Sequence, residues 1–156
     1  MTDRVSREHR SWNMSRIRGK DTEPELVVRS MLHRMGYRFR TNTGKLPGKP
    51  DLMLPACRAV ILVHGCFWHR HASRDSRCPI TYTPKSGRKG RGFWLRKFRD
   101  NVARDVRAER LLRRAGWGVL TVWECQLGHP ASVAARLDRL LRSRAKKPRE
   151  SGTVTH

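Results

Sequence analysis

Residues 50–71 read PDLMLPACRAVILVHGCFWHRH, and the pattern of these residues organises the rest of the chain. Asp51–Leu54 and Arg58–His64 are short apolar runs separated by a turn containing Pro55, the signature of a hairpin. The second run contains AVILV, apolar at every position rather than at alternate ones, as a central strand buried on both faces requires. A carboxylate opening one strand, Asp51, and an imidazole ending its neighbour, His64, then fall at adjoining points of one sheet. Magnesium suits such a place, because it uses few protein ligands and a single Asp with a backbone carbonyl and a substrate phosphate can hold it. Read alone, a strand-end Asp after Pro is also an ordinary cap or ion-pair partner.

Upstream, Asp21 or Thr22 can cap a helix whose first turn holds Glu23, Pro24 and Glu25. Val27, Val28, Met31, Leu32 and Met35 recur at helical spacing until Gly36 stops it. Tyr37–Thr41 is a short strand candidate before the turn-rich GKLPGKP. Downstream, His64 to Gly92 is irregular, and so long an irregular stretch in a compact domain needs a function or an internal staple. A long helix is expected from about Phe93 to Ala115, with Leu95, Phe98, Val102 and Val106 on one face and Gly116 at its end. A strand, Trp117–Trp123, and a helix, about Pro130–Leu141, follow. The order helix, three strands, helix, strand, helix predicts an α/β fold with a mixed sheet between helices. Residues 1–20 are polar and basic with few apolar points and are expected to be an arm that orders on a partner. Residues 21–142 form the domain, and the basic tail, 143–156, is expected to be disordered.

The chain has 156 residues, enough for one domain with a real core. Lys and Arg number 35 against 13 Asp and Glu, a net charge of +22 that points to a polyanionic partner, nucleic acid first. A merely basic, ribosome-like protein is the alternative that charge alone leaves open. No apolar run approaches the roughly 18 residues that cross a bilayer, and MTDRVSREHR lacks the apolar core of a signal peptide, so the expectation is a cytoplasmic protein with no membrane partner. In that compartment Cys57, Cys66, Cys78 and Cys125 read as thiols or metal ligands rather than disulfides.

His64, His69 and His71 concentrate beside the carboxylate strand, and imidazole suits proton transfer near neutral pH. Zinc binding without acid–base chemistry is the other use of such a group. Cys66, His71 and Cys78 lie on the irregular loop and Cys125 follows the last strand, where an adjacent strand can bring it alongside; four N/S donors suit a closed tetrahedral zinc. The local spacing is not that of a standard finger, and free thiols are the alternative. Cys57, in the hairpin turn, reads as a small filler.

Taken together, LPGKPDLML, the apolar strand, VHGCFWHRH, FWLRKFRDNVARD and GWGVLTVWEC resemble the very-short-patch repair endonucleases of the restriction-endonuclease-like superfamily, in order over about residues 10–127. The resemblance implies a restriction-endonuclease-like core with one structural zinc and magnesium for catalysis. It implies nicking of the T strand at T:G mismatches left by 5-methylcytosine deamination, which initiates very short patch repair. By position, Asp51 and the Val63 backbone carbonyl would hold magnesium, His69 would activate the attacking water, and His64 would be a second catalytic histidine supporting the phosphate or a metal water. Glu25 would stand near the metal waters. Val63 stands where the family carries a hydroxyl residue, so only its carbonyl can serve. Cys66, His71, Cys78 and Cys125 would hold zinc.

Phe67 and Trp68 resemble an aromatic wedge entering the base stack, with Met14 from the arm entering from the other groove. On the long helix Lys97, Asn101 and Arg104 or Asp105 follow a spacing that lets one side pack while the other faces DNA. The implied partners are double-stranded DNA with a T:G mismatch, a MutL-type mismatch-repair protein and a cytosine-5 DNA methyltransferase, with the enzyme a monomer at the bacterial nucleoid. The competing readings are a related nuclease of other specificity and a catalytically weak zinc-containing DNA-binding protein.

Overall fold

The computed structural model describes residues 21–41, 43–66, 69–71, 77–78 and 88–145, with side chains in the long helix described from residue 92. Its elements are α1 (Glu23–Arg34), β1 (Leu52–Leu54), β2 (Ala59–His64), α2 (Arg88–Arg114), β3 (Gly118–Trp123) and α3 (Pro130–Ala145), with 3-10 turns at Pro55–Cys57 and Glu124–Gly128. The sheet has three strands in the order β1-β2-β3. β1 runs antiparallel to β2, as the hairpin reading requires, and β2 runs parallel to β3, so the sheet is mixed. The AVILV strand is central and buried at every position.

Alternation along β2 divides the core between two layers. Ala59, Ile61 and Val63 point to one face, where Val28 and Leu32 of α1 and Val133, Leu137 and Leu141 of α3 cover them. Val60 and Leu62 point to the other, against Leu112 of α2 with Val119 and Trp117. Helices therefore cover both faces, the arrangement that a doubly apolar strand demands. Among the described residues no helix is long and apolar enough to cross a membrane.

Four details differ from the sequence expectation. The Tyr37–Thr41 segment forms no strand: Arg40 alone bridges Met53, exchanging both backbone hydrogen bonds at 2.7 and 2.9 Å. A three-residue β1 offers too little edge for a longer ladder. Next, α2 starts at Arg88, because Gly90 and Gly92 make the stretch read as loop although each costs a helix only about 1 kcal/mol. At 27 residues it spans about 40 Å while a six-residue strand spans about 20 Å, so the sheet cannot cover its whole apolar stripe. Phe98 is buried, but Leu95 and Val106, expected on the packed face, are exposed. In α1, likewise, Val27 is exposed while Val28, Met31 and Leu32 are buried.

Finally, α3 continues past Leu141 to Ala145. Arg142 pairs with Asp138 one turn back at 2.8 Å, and Arg144 donates to the carbonyls of Gly116 and Arg58, which extends order into what reads as a charged tail. Met14, Phe67, Trp68 and most of the proposed arm and tail lie outside the described residues.

The loop before β1 is held from two sides. The Thr43 hydroxyl donates to the Pro50 carbonyl, and Gly48, with φ of +70°, lies so close to α2 that a Cβ there would overlap the Cβ of Ala108. Only glycine combines that backbone conformation with that approach. The two contacts fix the point from which Asp51 enters the sheet.

Candidate active site and metal cluster

Asp51 directly precedes β1 and meets the far end of β2, where its Oδ2 accepts the Val63 N–H at 2.7 Å. Glu25 comes to the same place from the first turn of α1, and although a carboxylate, it is buried. Its Oε2 accepts from the Asp21 N–H and from Arg29 Nη2, both at 3.1 Å, and Arg29 also pairs with Asp21 at 2.6 Å. Burial pushes Asp51 up to about 6, the Val63 N–H opposes this, and the neighbouring Glu25 carboxylate raises it further. Two acids thus share a poorly hydrated space in which negative charge is in excess, an environment that a divalent cation would relieve.

His64 ends β2 and is buried; His69 lies on the loop that leaves the strand and is half-buried. The loop folds back so that the two imidazoles stack face to face, centroids 3.9 Å apart and planes 1° from parallel. His69 Nδ1 lies 2.5 Å from Asp105 Oδ2 on α2. With Nδ1 committed to a carboxylate, Nε2 is the ring atom that can take a proton from water, as in other carboxylate–imidazole pairs. By spacing, either Arg104 or Asp105 continues the Lys97 and Asn101 side of the helix; Asp105 turns toward His69. No local pattern announces a contact across 36 residues. Of its companions, Arg104 is exposed and Lys97 is half-buried, with its Nζ over the Trp94 ring at 5.7 Å.

The third group follows from strand register. The parallel β2–β3 pairing sets His64 opposite Trp123, so continuing two residues along both chains brings Cys66 beside Cys125. The Cys125 N–H reaches Cys66 Sγ at 3.3 Å. His71 Nδ1 lies 3.6 Å from Cys66 Sγ and 3.3 Å from Cys125 Sγ, and Cys78 joins them, with one donor atom of each of the four residues within 4.8 Å of all the others. This cluster could hold a metal ion. Burial pushes the Cys66 thiol up to about 12; the Cys125 backbone N–H opposes this, while the Cys125 and Cys78 thiols add to it, so a buried thiolate here needs a cation beside it. Cys57, the spare, is a buried filler in the core.

A family model described as DNA mismatch endonuclease Vsr matches residues 2–75. The Type II nicking enzyme V.XorIIP of Xanthomonas oryzae pv. oryzae is 45% identical over 141 residues, covering 90% of this chain and 98% of that protein. The Type II nicking enzyme V.NmeAIP of Neisseria meningitidis is 39% identical over 142 residues, 91% of this chain and 96% of that one. The DNA mismatch endonuclease Vsr of Escherichia coli is 41% identical over 127 residues, 81% and 76% of the two chains.

Proposed function

This chain belongs to the Vsr family of DNA mismatch endonucleases, and from that premise we propose that it nicks the T strand of double-stranded DNA at T:G mismatches, initiating very short patch repair. The observation that carries the proposal is the His69–Asp105 pair stacked on His64, close along β2 to the Asp51–Glu25 acids. Phosphodiester hydrolysis needs a base for water and neutralisation at the phosphate, and these two groups supply one each.

In this reading Asp105 holds the His69 ring in the tautomer whose Nε2 accepts the proton of the attacking water. His64 holds the face of that ring, and Asp51 with the Val63 carbonyl forms the cation seat. Glu25, fixed by Arg29 and the Asp21 N–H, faces the water shell of that seat. The excess negative charge at the two acids fits magnesium, which when bound supplies charge neutralisation at the scissile phosphate. The Cys66, His71, Cys78 and Cys125 set fits zinc. An N and an S donor on one tetrahedral zinc lie about 3.5 Å apart, close to the 3.3 and 3.6 Å separations here. Its role is to staple the loop that carries His69.

Phe67 and Trp68, between Cys66 and His69 in sequence, are assigned to the base stack together with Met14 of the arm, and Lys97, Asn101 and Arg104 to phosphate contacts. The names of the relatives support cutting of one strand. A MutL-type protein and a cytosine-5 methyltransferase are the partners consistent with such a repair step, at the nucleoid where the substrate arises.

The test is a duplex labelled separately on each strand. With magnesium the enzyme should nick the T strand of a T:G duplex at least about 10²-fold faster than a paired control. Equal cutting of both duplexes, or of both strands, would replace this reading with a nuclease of other specificity.

A further inference from the structure

Two sets of stacked rings meet at one side chain. Trp123 ends β3, is 8% exposed and stands opposite His64 in the parallel register. Its indole lies flat on His71, centroids 4.2 Å apart and planes 7° from parallel. The same indole meets His64 edge to face at 5.2 Å and 72°, and His69 at 6.3 Å and 71°. His71 belongs to the thiol cluster; His64 and His69 belong to the proton-transfer pair. Trp123 therefore meets all three imidazoles.

The indole stands on the sheet rather than on the loop, and it is buried. The Trp123 backbone N–H donates to Gln126 Oε1 at 3.1 Å; the same oxygen accepts from Arg136 Nη1 at 2.8 Å, and Arg136 Nη2 reaches the Thr121 carbonyl at 3.2 Å. The sheet and α3 thus hold its backbone, whereas His69 and His71 lie together beyond the end of β2 with Arg70 between them in the left-handed region, φ 55°. An indole neither ligates metal nor exchanges a proton in the working pH range. What it can do is fix ring orientation, because aromatic pairs prefer stacked or edge-to-face arrangements and lose attraction outside them.

We propose that Trp123 is a positioning residue that converts the arrangement of the metal cluster into the orientation of the His64–His69 pair. The inference rests on the reading of His69 as general base. A displacement of His71 across the indole face carries the adjoining residues with it and so tilts the neighbouring His69 against the indole edge. An error of about 1 Å in a reacting group can cost about 10²-fold in rate.

The test uses Trp123→Leu and Trp123→Phe in the full chain, with metal content measured for each. Single-turnover nicking of a saturating T:G duplex is compared with Kd for the same duplex, and side-chain imidazole NMR signals of His64, His69 and His71 are followed as zinc is exchanged for the larger cadmium. Trp123→Leu should keep its metal and its Kd but lose about tenfold or more in nicking rate, and Trp123→Phe should recover most of that loss. Cadmium exchange should move all three histidine signals in wild type and His71 alone in Trp123→Leu.

A metal-loaded Trp123→Leu that nicks within about twofold of wild type overturns the proposal. So does a wild type in which cadmium leaves His64 and His69 unmoved, a result available even if the Leu variant fails to fold. If wild type does not nick a T:G duplex at all, the proposed function fails, while the cadmium signals still report whether Trp123 couples the two groups.

Discussion

Asp51 stands where burial and a second carboxylate both oppose its charge, and its folded-state value near 6 makes this a statement about stability. Between the ordinary value of 3.8 and about 6 the folded protein holds more protons than the unfolded chain, so this group costs nothing below that window and its full penalty above it. The difference corresponds to roughly 3 kcal/mol. Asp51→Asn keeps an acceptor for the Val63 N–H and removes the charge, so metal-free protein should gain up to about 3 kcal/mol at pH 7, shrinking toward zero below about pH 4. Thermal melts across that range check it; a variant less stable than wild type at pH 7 would mean that the carboxylate is compensated in the free protein. At this scale the sequence was informative where residues are neighbours along β1 and β2: Asp51, Val63 and His64 are placed by a hairpin that pattern alone reveals. Glu25 needed the family resemblance, and the Asp105 contact with His69 was not legible, because which way a polar helix residue turns depends on what packs against the helix.

Strand register, rather than ligand spacing, assembles the thiol cluster. Parallel pairing of β2 with β3 carries Cys125 to Cys66 across 59 residues, which is why the loop spacing alone resembles no standard finger. The described part of the loop has little packing of its own beyond Cys66, Cys78 and Trp123, so its order should depend on the metal. Purified protein is expected to carry one zinc. Cys66→Ser should lose that zinc and about 10 °C or more of Tm, several kcal/mol for a domain of this size. Elemental analysis beside a melt measures both, and unchanged zinc and Tm in the variant would remove the cluster from the account. The helices and the central strand were legible because their apolar periods are long. The Tyr37–Thr41 strand and the ends of α2 and α3 were misread where tertiary contacts override local signals: a short β1 edge, two tolerated glycines, and Arg144 reaching the carbonyls of Gly116 and Arg58.

Across the whole molecule, a net charge of +22 adds an attraction for DNA that carries no sequence information. Non-specific affinity should fall by about 10³ or more between roughly 50 and 200 mM salt if six or more phosphates are neutralised. A flat response in a titration of a paired duplex would count against a DNA-covering surface. In the proposed function, discrimination comes from the site and the loop beside it, with cutting and binding assigned to different side chains. The most direct measurement is magnesium-dependent single-turnover nicking of a T:G duplex by wild type and Asp51→Ala, with affinity determined on the same duplex. Asp51→Ala should show no magnesium-dependent nicking while binding at least as tightly as wild type, since it loses the proposed cation ligand and also a negative charge near the backbone. If Asp51→Ala still nicks with magnesium at a rate within about tenfold of wild type, the acids at the head of β1 are not the catalytic cation seat.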